Sequence, residues 1–340
     1  MKVLVNGIGN IGTTLLSFLI EYKEKLNIAE LYALKNTSVH PWLMTDLEKL
    51  RNKGVVICSK KNEKNLIPFD NILKKIDYIF DTTANTFGLE NKKWYSELPN
   101  LIACSAQGSE KGFGIPYMHG INNNQILNEK FVHIVSCNTH AIASLISTFG
   151  GNNLVNFIDA DFVIVRRSED LGNHQRLVTA NVVSRHRDQL HGTHHASDAI
   201  DLFNTIGQKI DITSSDITTP SQLMHTVRFN INLKTSITEN NIQEMINNNP
   251  MVSVSSKFDS NTIFESGRRY GLNGRIFSHA IINHNNILLD ETRKNLKGWA
   301  FIPQEGNTIL STISAFILQT NCNNNSIIND LIKKSISKEW

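Results

Sequence analysis

Cysteine is scarce in this chain: four in 340 residues, at Cys58, Cys104, Cys137 and Cys322, with no two of them forming a CxxC pair. That scarcity excludes a disulfide framework and a structural zinc site of the usual spacing, and it fits a reducing cytosol. A dominant charge is also lacking. The formal net charge is only +3, with basic residues interspersed among acidic ones; this leaves no footprint for nucleic acid but suits a local basic pocket for a small anion. Long apolar runs are missing too, since none approaches the roughly 20 residues of a membrane span. The chain enters an apolar run at residues 2–5 without a secretory h-region. These absences lead to the expectation of a soluble, cytoplasmic protein with neither membrane nor nucleic acid among its partners. Its length is enough for a sizeable core in two domains.

What is present falls into two textures. Up to about Cys137, short apolar runs at 2–5, 30–34, 77–81, 101–104 and 133–135 alternate with amphipathic or polar stretches of helical length such as 11–22. Strand–helix alternation implies a parallel sheet with helices on both faces. After Cys137 longer β-type runs appear at 157–167, 226–234 and 275–284, which read as an antiparallel, sheet-rich domain, and 307–338 is helical in pattern. The fold expected is α/β: a Rossmann-type parallel-sheet cofactor domain over 1–136 with 304–340, and a sheet-rich α+β catalytic domain over 137–303.

Gly7-Ile8-Gly9-Asn10-Ile11-Gly12 follows the first strand-like run and opens a helix-like one. A lone GxGxxG is weak, but in that context it predicts a dinucleotide pyrophosphate on a helix N-terminus, with the glycines allowing close backbone approach. An NAD-specific site places Asp or Glu after the second strand for the ribose 2′-hydroxyl. This chain has Leu34-Lys35-Asn36-Thr37-Ser38 there. Lys35, Thr37 and Ser38 suit a 2′-phosphate, so the cofactor expected is NADP or NAD, with NADP favoured. The loops Asp81-Thr82-Thr83 and Gln107-Gly108-Ser109 follow further strand-like runs and are cofactor-side candidates.

Cys137 lies in Val135-Ser136-Cys137-Asn138-Thr139, between an apolar β-type run and a helix-like one. A thiol at such a junction meets backbone N–H groups and the positive helix end, which favour thiolate, a nucleophile for carbonyl carbon. The competing reading is a buried structural cysteine. Such a nucleophile needs a base or cation nearby, and His140, His191, His194, His195 and His225 are the candidates. No carboxylate or cysteine completes a metal shell around the His191–His195 cluster, so no metal is expected. His225 among apolar neighbours is also readable as a core histidine. Arg166-Arg167 ends an apolar strand, where at most one of the two faces a given pocket and can clamp a phosphate.

With these stretches in order, the chain resembles the archaeal-type (class II) glyceraldehyde-3-phosphate dehydrogenases over nearly its whole length. The resemblance rests on Val5 to Gly12, Val135-Ser136-Cys137-Asn138-Thr139, Val165-Arg166-Arg167, Thr193-His194-His195-Ala196-Ser197-Asp198 and Leu223-Met224-His225, with weaker support from Asp81-Thr82-Thr83 and Gln107-Gly108. It implies Cys137 as nucleophile and His225 as base. It implies substrate contacts at Ser136, Asn138, His194 and His195, and a phosphate or cofactor role for Arg166 or Arg167. Gly7, Gly9, Asn10, Ile11, Gly108 and Ser109 would line the cofactor, with Gln304 the match to a glutamine beside the nicotinamide. The chain departs from the family at His140, where a small or hydroxyl residue is usual, at Ser109, and at the acidic Glu169-Asp170.

The reaction so implied is phosphorylating oxidation of glyceraldehyde 3-phosphate to 1,3-bisphosphoglycerate through a cysteine thioester, with a phosphorylated aldehyde and inorganic phosphate as small-molecule partners. A homotetramer follows from the family alone. The alternatives are a dehydrogenase of another aldehyde, such as a semialdehyde/acyl-phosphate enzyme with the same Cys–His pair, and a non-catalytic NADP-binding relative.

Overall fold

Val3, Leu4 and Val5 are fully buried, as in a strand covered by helices on both faces. They belong to β1 (Lys2–Asn6), which is followed by α1 (Asn10–Glu21), β2 (Glu30–Lys35), α2 (Met44–Asn52), β3 (Val55–Ser59) and β4 (Ile67–Pro68). Next come β5 (Tyr78–Asp81), α3 (Phe87–Ser96), β6 (Ala103–Ala106), β7 (Ile115–Tyr117) and β8 (Phe131–Ile134). The computed structural model describes residues 1–37, 44–61, 63, 66–108, 110–168, 178–271, 274–303, 306–320 and 325–340. All eight strands pair in parallel, in the order β4-β3-β2-β1-β5-β6-β8-β7. The order reverses at β1, which lies between β2 and β5, so the carboxyl ends of β1 and β5 flank a crevice of the kind that binds ligands in such sheets.

The second sheet is built from β9 (Phe157–Arg166), β10 (Val182–Val183), β11 (Asp211–Thr218), β12 (His225–Leu233), β13 (Val252–Ser255), β14 (Ala280–Asn283), β15 (Leu288–Leu289) and β16 (Asn295–Ile302). Its strand order is β10-β11-β9-β12-β16-β14-β13, with β15 beside β16. The helices here are α4 (Cys137–Gly150), α5 (His194–Asn204), α6 (Glu239–Asn248) and α7 (Ser260–Tyr270). Strict alternation of buried and half-buried residues along β12 marks a strand with one covered face. On that face Phe229 stacks against Phe149 of α4 at 5.8 Å. Gly298 of β16 makes the room: a Cβ there would lie 2.4 Å from Phe229 Cζ.

The antiparallel expectation for this sheet needs correction. β9 with β11, and β13 with β14, pair in parallel. Parallel neighbours need a crossover, and α5 and α7 supply one to each pair. Within the β-type run 275–284 only Ala280–Asn283 is strand.

Two helices close the described chain, α8 (Ile309–Gln319) and α9 (Asn325–Ser335). The chain divides into one unit of Met1–Val135 with Ser311–Ile328 and another of Ser136–Leu310 with Asn329–Trp340. In the first, Tyr78 donates to Gln319 Oε1 at 2.7 Å and the Tyr117 and Ser314 hydroxyls pair at 2.8 Å. In the second, Ser255 Oγ donates to the Trp340 carbonyl at 2.6 Å. Residues 329–340 therefore sit with the second unit, although the helical pattern of 307–338 reads as a single return to the first. Phe229→Ala is expected to lower the stability of the second unit by about 3–5 kcal/mol, measured as a shift in its denaturant midpoint.

Candidate active site

Cys137 is the first residue of α4, and Ser136 is its N-cap: Ser136 Oγ accepts the Thr139 N–H at 3.2 Å. The first turn holds no acidic residue, so no acid within that turn offsets the positive end of the helix. Asn307 fixes the backbone here. Fully buried, it donates from Nδ2 to the Cys137 carbonyl at 3.0 Å and to the His279 carbonyl at 3.1 Å. Cys137 is half-buried, whereas Cys58 and Cys104 are buried. Burial pushes the Cys58 thiol up to about 12 and Cys104 well above its ordinary value. Of these three thiols, only Cys137 is both accessible and at a helix start.

From Asn138, the residue after Cys137, a polar chain runs through the second unit. The Asn138 amide lies 3.4 Å from His195 Nε2. His194 and His195 open α5, with their ring centroids 3.9 Å apart. Gly192 allows the approach of this helix start to β11, because a Cβ there would lie 2.2 Å from the Ser214 carbonyl oxygen. His195 Nε2 stands 3.5 Å from Asp216 Oδ2, and Arg166 Nη1 stands 3.7 Å from Asp216 Oδ1. Ser184 Oγ also donates to Asp216. Burial raises the Asp216 carboxyl, but the hydrogen bonds from His195 and Ser184 and the Arg166 charge outweigh it and hold the group at about 2.

Arg166 and Arg167 diverge, as neighbours on a strand must. Arg166 reaches Asp216, while buried Arg167 lines a small cavity with Met224, Arg275 and Gly306. The Arg167 backbone N–H donates to His225 Nδ1 at 3.0 Å. With Nδ1 accepting, a neutral His225 ring carries its proton on Nε2. Burial, then the charges of Arg167, Arg166 and His195, push this histidine well below its ordinary 6.5, against the pull of Asp216. Met224 before it holds φ at +51°, a left-handed conformation that a non-glycine residue adopts at a cost.

The structure thus brings Asn138, His195, Arg166, Arg167 and His225 together, and adds Asp216 and Asn307. Neither addition was singled out in the sequence. Asp216 carries a legible signal, because Ile212, Ser214 and Asp216 share the buried parity of β11 and a charge at a buried parity is unusual. Ser136 is occupied in capping. His191 Nδ1 is 3.1 Å from the Ile212 carbonyl and His140 Nδ1 is 3.0 Å from the Ser136 carbonyl; both contacts are to backbone oxygens.

In the first unit the glycine loop fits a dinucleotide. Gly7 has φ +108°, a Cβ on Gly12 would lie 2.1 Å from the Gly7 carbonyl oxygen, and a Cβ on Gly9 would meet nothing within 4 Å. Gly9 is therefore where a phosphate can approach the backbone. The start of α1 has neither a side-chain cap nor an acidic residue, leaving N–H groups for an anion. Lys35 Nζ donates to Thr37 Oγ1 at 2.5 Å. A directed chain underpins the loop: Asn36 Nδ2 donates to Asn6 Oδ1 (2.7 Å), Asn6 Nδ2 to the Tyr95 hydroxyl (2.6 Å), and that hydroxyl to Asp81 Oδ2 (2.5 Å). Gly108 has φ +83° and open space at its Cβ position. Ser38, Ser109, Glu169, Asp170 and Gln304 lie outside the described residues.

The histidines set a pH dependence. His194 is pushed down to about 4, first by burial and then by His195, and His225 lies well below 6.5. The unfolded chain binds protons near pH 6.5 that these native rings refuse, so their contribution is full above that pH and lost as pH falls. Acidification from pH 7 to 5 should lower stability, and His225→Gln should flatten that slope in denaturant titrations.

A scan against protein-family models finds no match to this chain. Among curated proteins, the glyceraldehyde-3-phosphate dehydrogenase of Saccharolobus solfataricus is 29% identical, covering 78% of this chain and 76% of its own. That of Saccharolobus islandicus strain M.14.25 is 27% identical over the same shares. That of Methanobacterium bryantii is 27% identical over 54% of this chain and 52% of its own. The motifs, the parallel sheet and these relatives agree: the chain is a divergent relative of the archaeal-type glyceraldehyde-3-phosphate dehydrogenases.

Proposed function

We propose that the chain is an NAD(P)-dependent phosphorylating aldehyde dehydrogenase that oxidises glyceraldehyde 3-phosphate through a thioester on Cys137. The observation that carries this reading is the half-buried Cys137 at the capped start of α4, followed by Asn138, whose side chain meets the His195–Asp216–Arg166 chain. The name borne by its archaeal relatives supports the substrate.

Cys137 sulfur attacks the aldehyde carbon as thiolate, and the carbonyl oxygen becomes an alkoxide. His225 stabilises that oxygen by donating from Nε2–H, which preorganises a donor where negative charge develops. The family resemblance implies His225 as the base; in this geometry its Nδ1 accepts the Arg167 N–H, and a neutral ring carries its proton on Nε2. A bound nicotinamide supplies the hydride acceptor. Arg166 and the neighbouring histidines hold anionic oxygens of substrate and of the attacking phosphate. Lys35 and Thr37 favour the 2′-phosphate of NADP.

Initial rates of NADP and NAD reduction with glyceraldehyde 3-phosphate, with and without inorganic phosphate, test the reading. Phosphate-dependent turnover is expected, and Cys137→Ser should abolish it while leaving cofactor binding intact; retained turnover in that variant removes Cys137 from its role. Lys35→Ala should raise the NADP KM roughly tenfold or more, the worth of one charge-assisted hydrogen bond, with little change for NAD. An equal change for both cofactors would take Lys35 away from the 2′-phosphate.

A further inference from the structure

His140 takes no part in the scheme above, although it lies fully buried in α4, one turn from Cys137. We propose that His140 is a positioning residue for the thiol: its ring holds the Ser136 carbonyl and so fixes the peptide plane whose N–H belongs to Cys137. This rests on the thiol chemistry proposed above and adds what keeps the backbone around the sulfur in place.

The Ser136 carbonyl accepts twice from one residue. The His140 backbone N–H donates to it at 2.8 Å, as the first turn of a helix requires, and His140 Nδ1 lies 3.0 Å from the same oxygen. A carbonyl oxygen only accepts, so Nδ1 carries the ring proton and donates it. A carbonyl and the N–H that follows it share one trans plane and point in opposite directions. Holding the Ser136 oxygen into the first turn therefore turns the Cys137 N–H the other way, toward the open end of the helix. Serine or threonine makes this kind of back-bond to the carbonyl four residues earlier in a helix. In α4 an imidazole makes it.

The next peptide plane is held in the same way. Asn307 Nδ2 donates to the Cys137 carbonyl at 3.0 Å, which sets the direction of the Asn138 N–H. The same nitrogen donates to the His279 carbonyl at 3.1 Å, and the His279 ring meets that of His140 edge-on, with centroids 4.8 Å apart. His279 is anchored outside α4, since its backbone N–H donates to the Met251 carbonyl at 2.8 Å. One buried residue thus bears on both supports. It packs the ring that grips the first plane and bonds the amide that grips the second. In so closely packed an interior neither ring has room to swing.

Thiol chemistry depends on those two planes. N–H groups at a helix start favour the thiolate before attack and the oxyanion that develops after it, and such donors act only when their direction is set beforehand. The Ser136 hydroxyl accepts the Thr139 N–H, so the cap orients the Thr139 plane and leaves the Cys137 plane to the His140 ring. No proton transfer is asked of His140, whose Nδ1 proton stays in its bond to Ser136. Without that bond the Ser136 carbonyl keeps a single backbone donor and the plane can rock. A displacement that is small in distance is then large in rate.

Alkylation of Cys137 by iodoacetamide, followed from pH 5 to 10 by peptide mass, tests this without aldehyde or cofactor, so a wrong substrate does not disturb it. His140→Val and His140→Thr leave the same space beside His279, but only threonine has a hydroxyl to bond back to Ser136. The wild-type rate should show an inflection below the ordinary thiol value of about 8.5. His140→Val should move the inflection toward that value and slow alkylation at neutral pH roughly tenfold, the worth of one hydrogen bond. His140→Thr should recover most of the loss. Labelling of the buried Cys58 and Cys104 in the same digest marks a variant that unfolds. His140→Asn and His140→Leu are a second pair on the same logic, because the asparagine amide can donate where Nδ1 does and leucine cannot. Equal shifts within a folded pair would mean that the ring only fills space and would overturn the proposal, as would a lowered wild-type inflection that no variant moves. A wild-type inflection at the ordinary value would remove the thiol reading itself, and this positioning role with it.

Discussion

Asp216 is a carboxylate at the covered parity of a sheet strand, with a side chain 1% exposed. A buried charge must be paired or it neutralises, and here three donors converge on it: Arg166, His195 and Ser184. The pairing holds the group ionised and directs Arg166 to one side of β9. Through His195 the same chain reaches Asn138, the residue after Cys137. Removing one partner of such a set leaves an uncompensated buried charge, a larger loss than any single contact in it is worth.

The thiol depends on a different device. Ser136 caps α4 and Asn307 ties the Cys137 carbonyl from the far end of the second unit's main segment. The helix start is thus held at both its side-chain and backbone groups, while its first turn carries no acid. A charge of the wrong sign within one turn would oppose the field that favours thiolate; the sequence Cys137-Asn138-Thr139-His140 contains none.

Local chemistry was the legible part of this chain. Gly7, Gly9 and Gly12 stand out because their pattern is short and each glycine answers a steric demand, and the structure shows those demands at 2.1 Å and in the open space over Gly9. Cys137 was legible from its place between a β-type and a helix-like run, and the α/β alternation of the first unit from its period. Strand direction in the second unit was not, because a β-type run reads the same whether its neighbour is parallel or antiparallel. Asp216 and Asn307 escaped because their partners lie in distant segments: Asp216 pairs across β9 and α5, and Asn307 reaches back 170 residues to Cys137. The Arg167 N–H that bonds His225 Nδ1 is likewise encoded by no motif.

The division of the chain has a consequence for synthesis. The first unit is interrupted by the whole of 136–310, and its strand residues Tyr78 and Tyr117 find their partners on α8, at Gln319 and Ser314. The second unit in turn waits for 329–340, where the Trp340 carbonyl receives Ser255. As the chain leaves the ribosome, neither core closes until residues 311–340 emerge. The glycine loop and the thiol are both made early, and each spends translation attached to an unfinished unit. A chain released short of residue 311 would carry every catalytic motif and neither complete core.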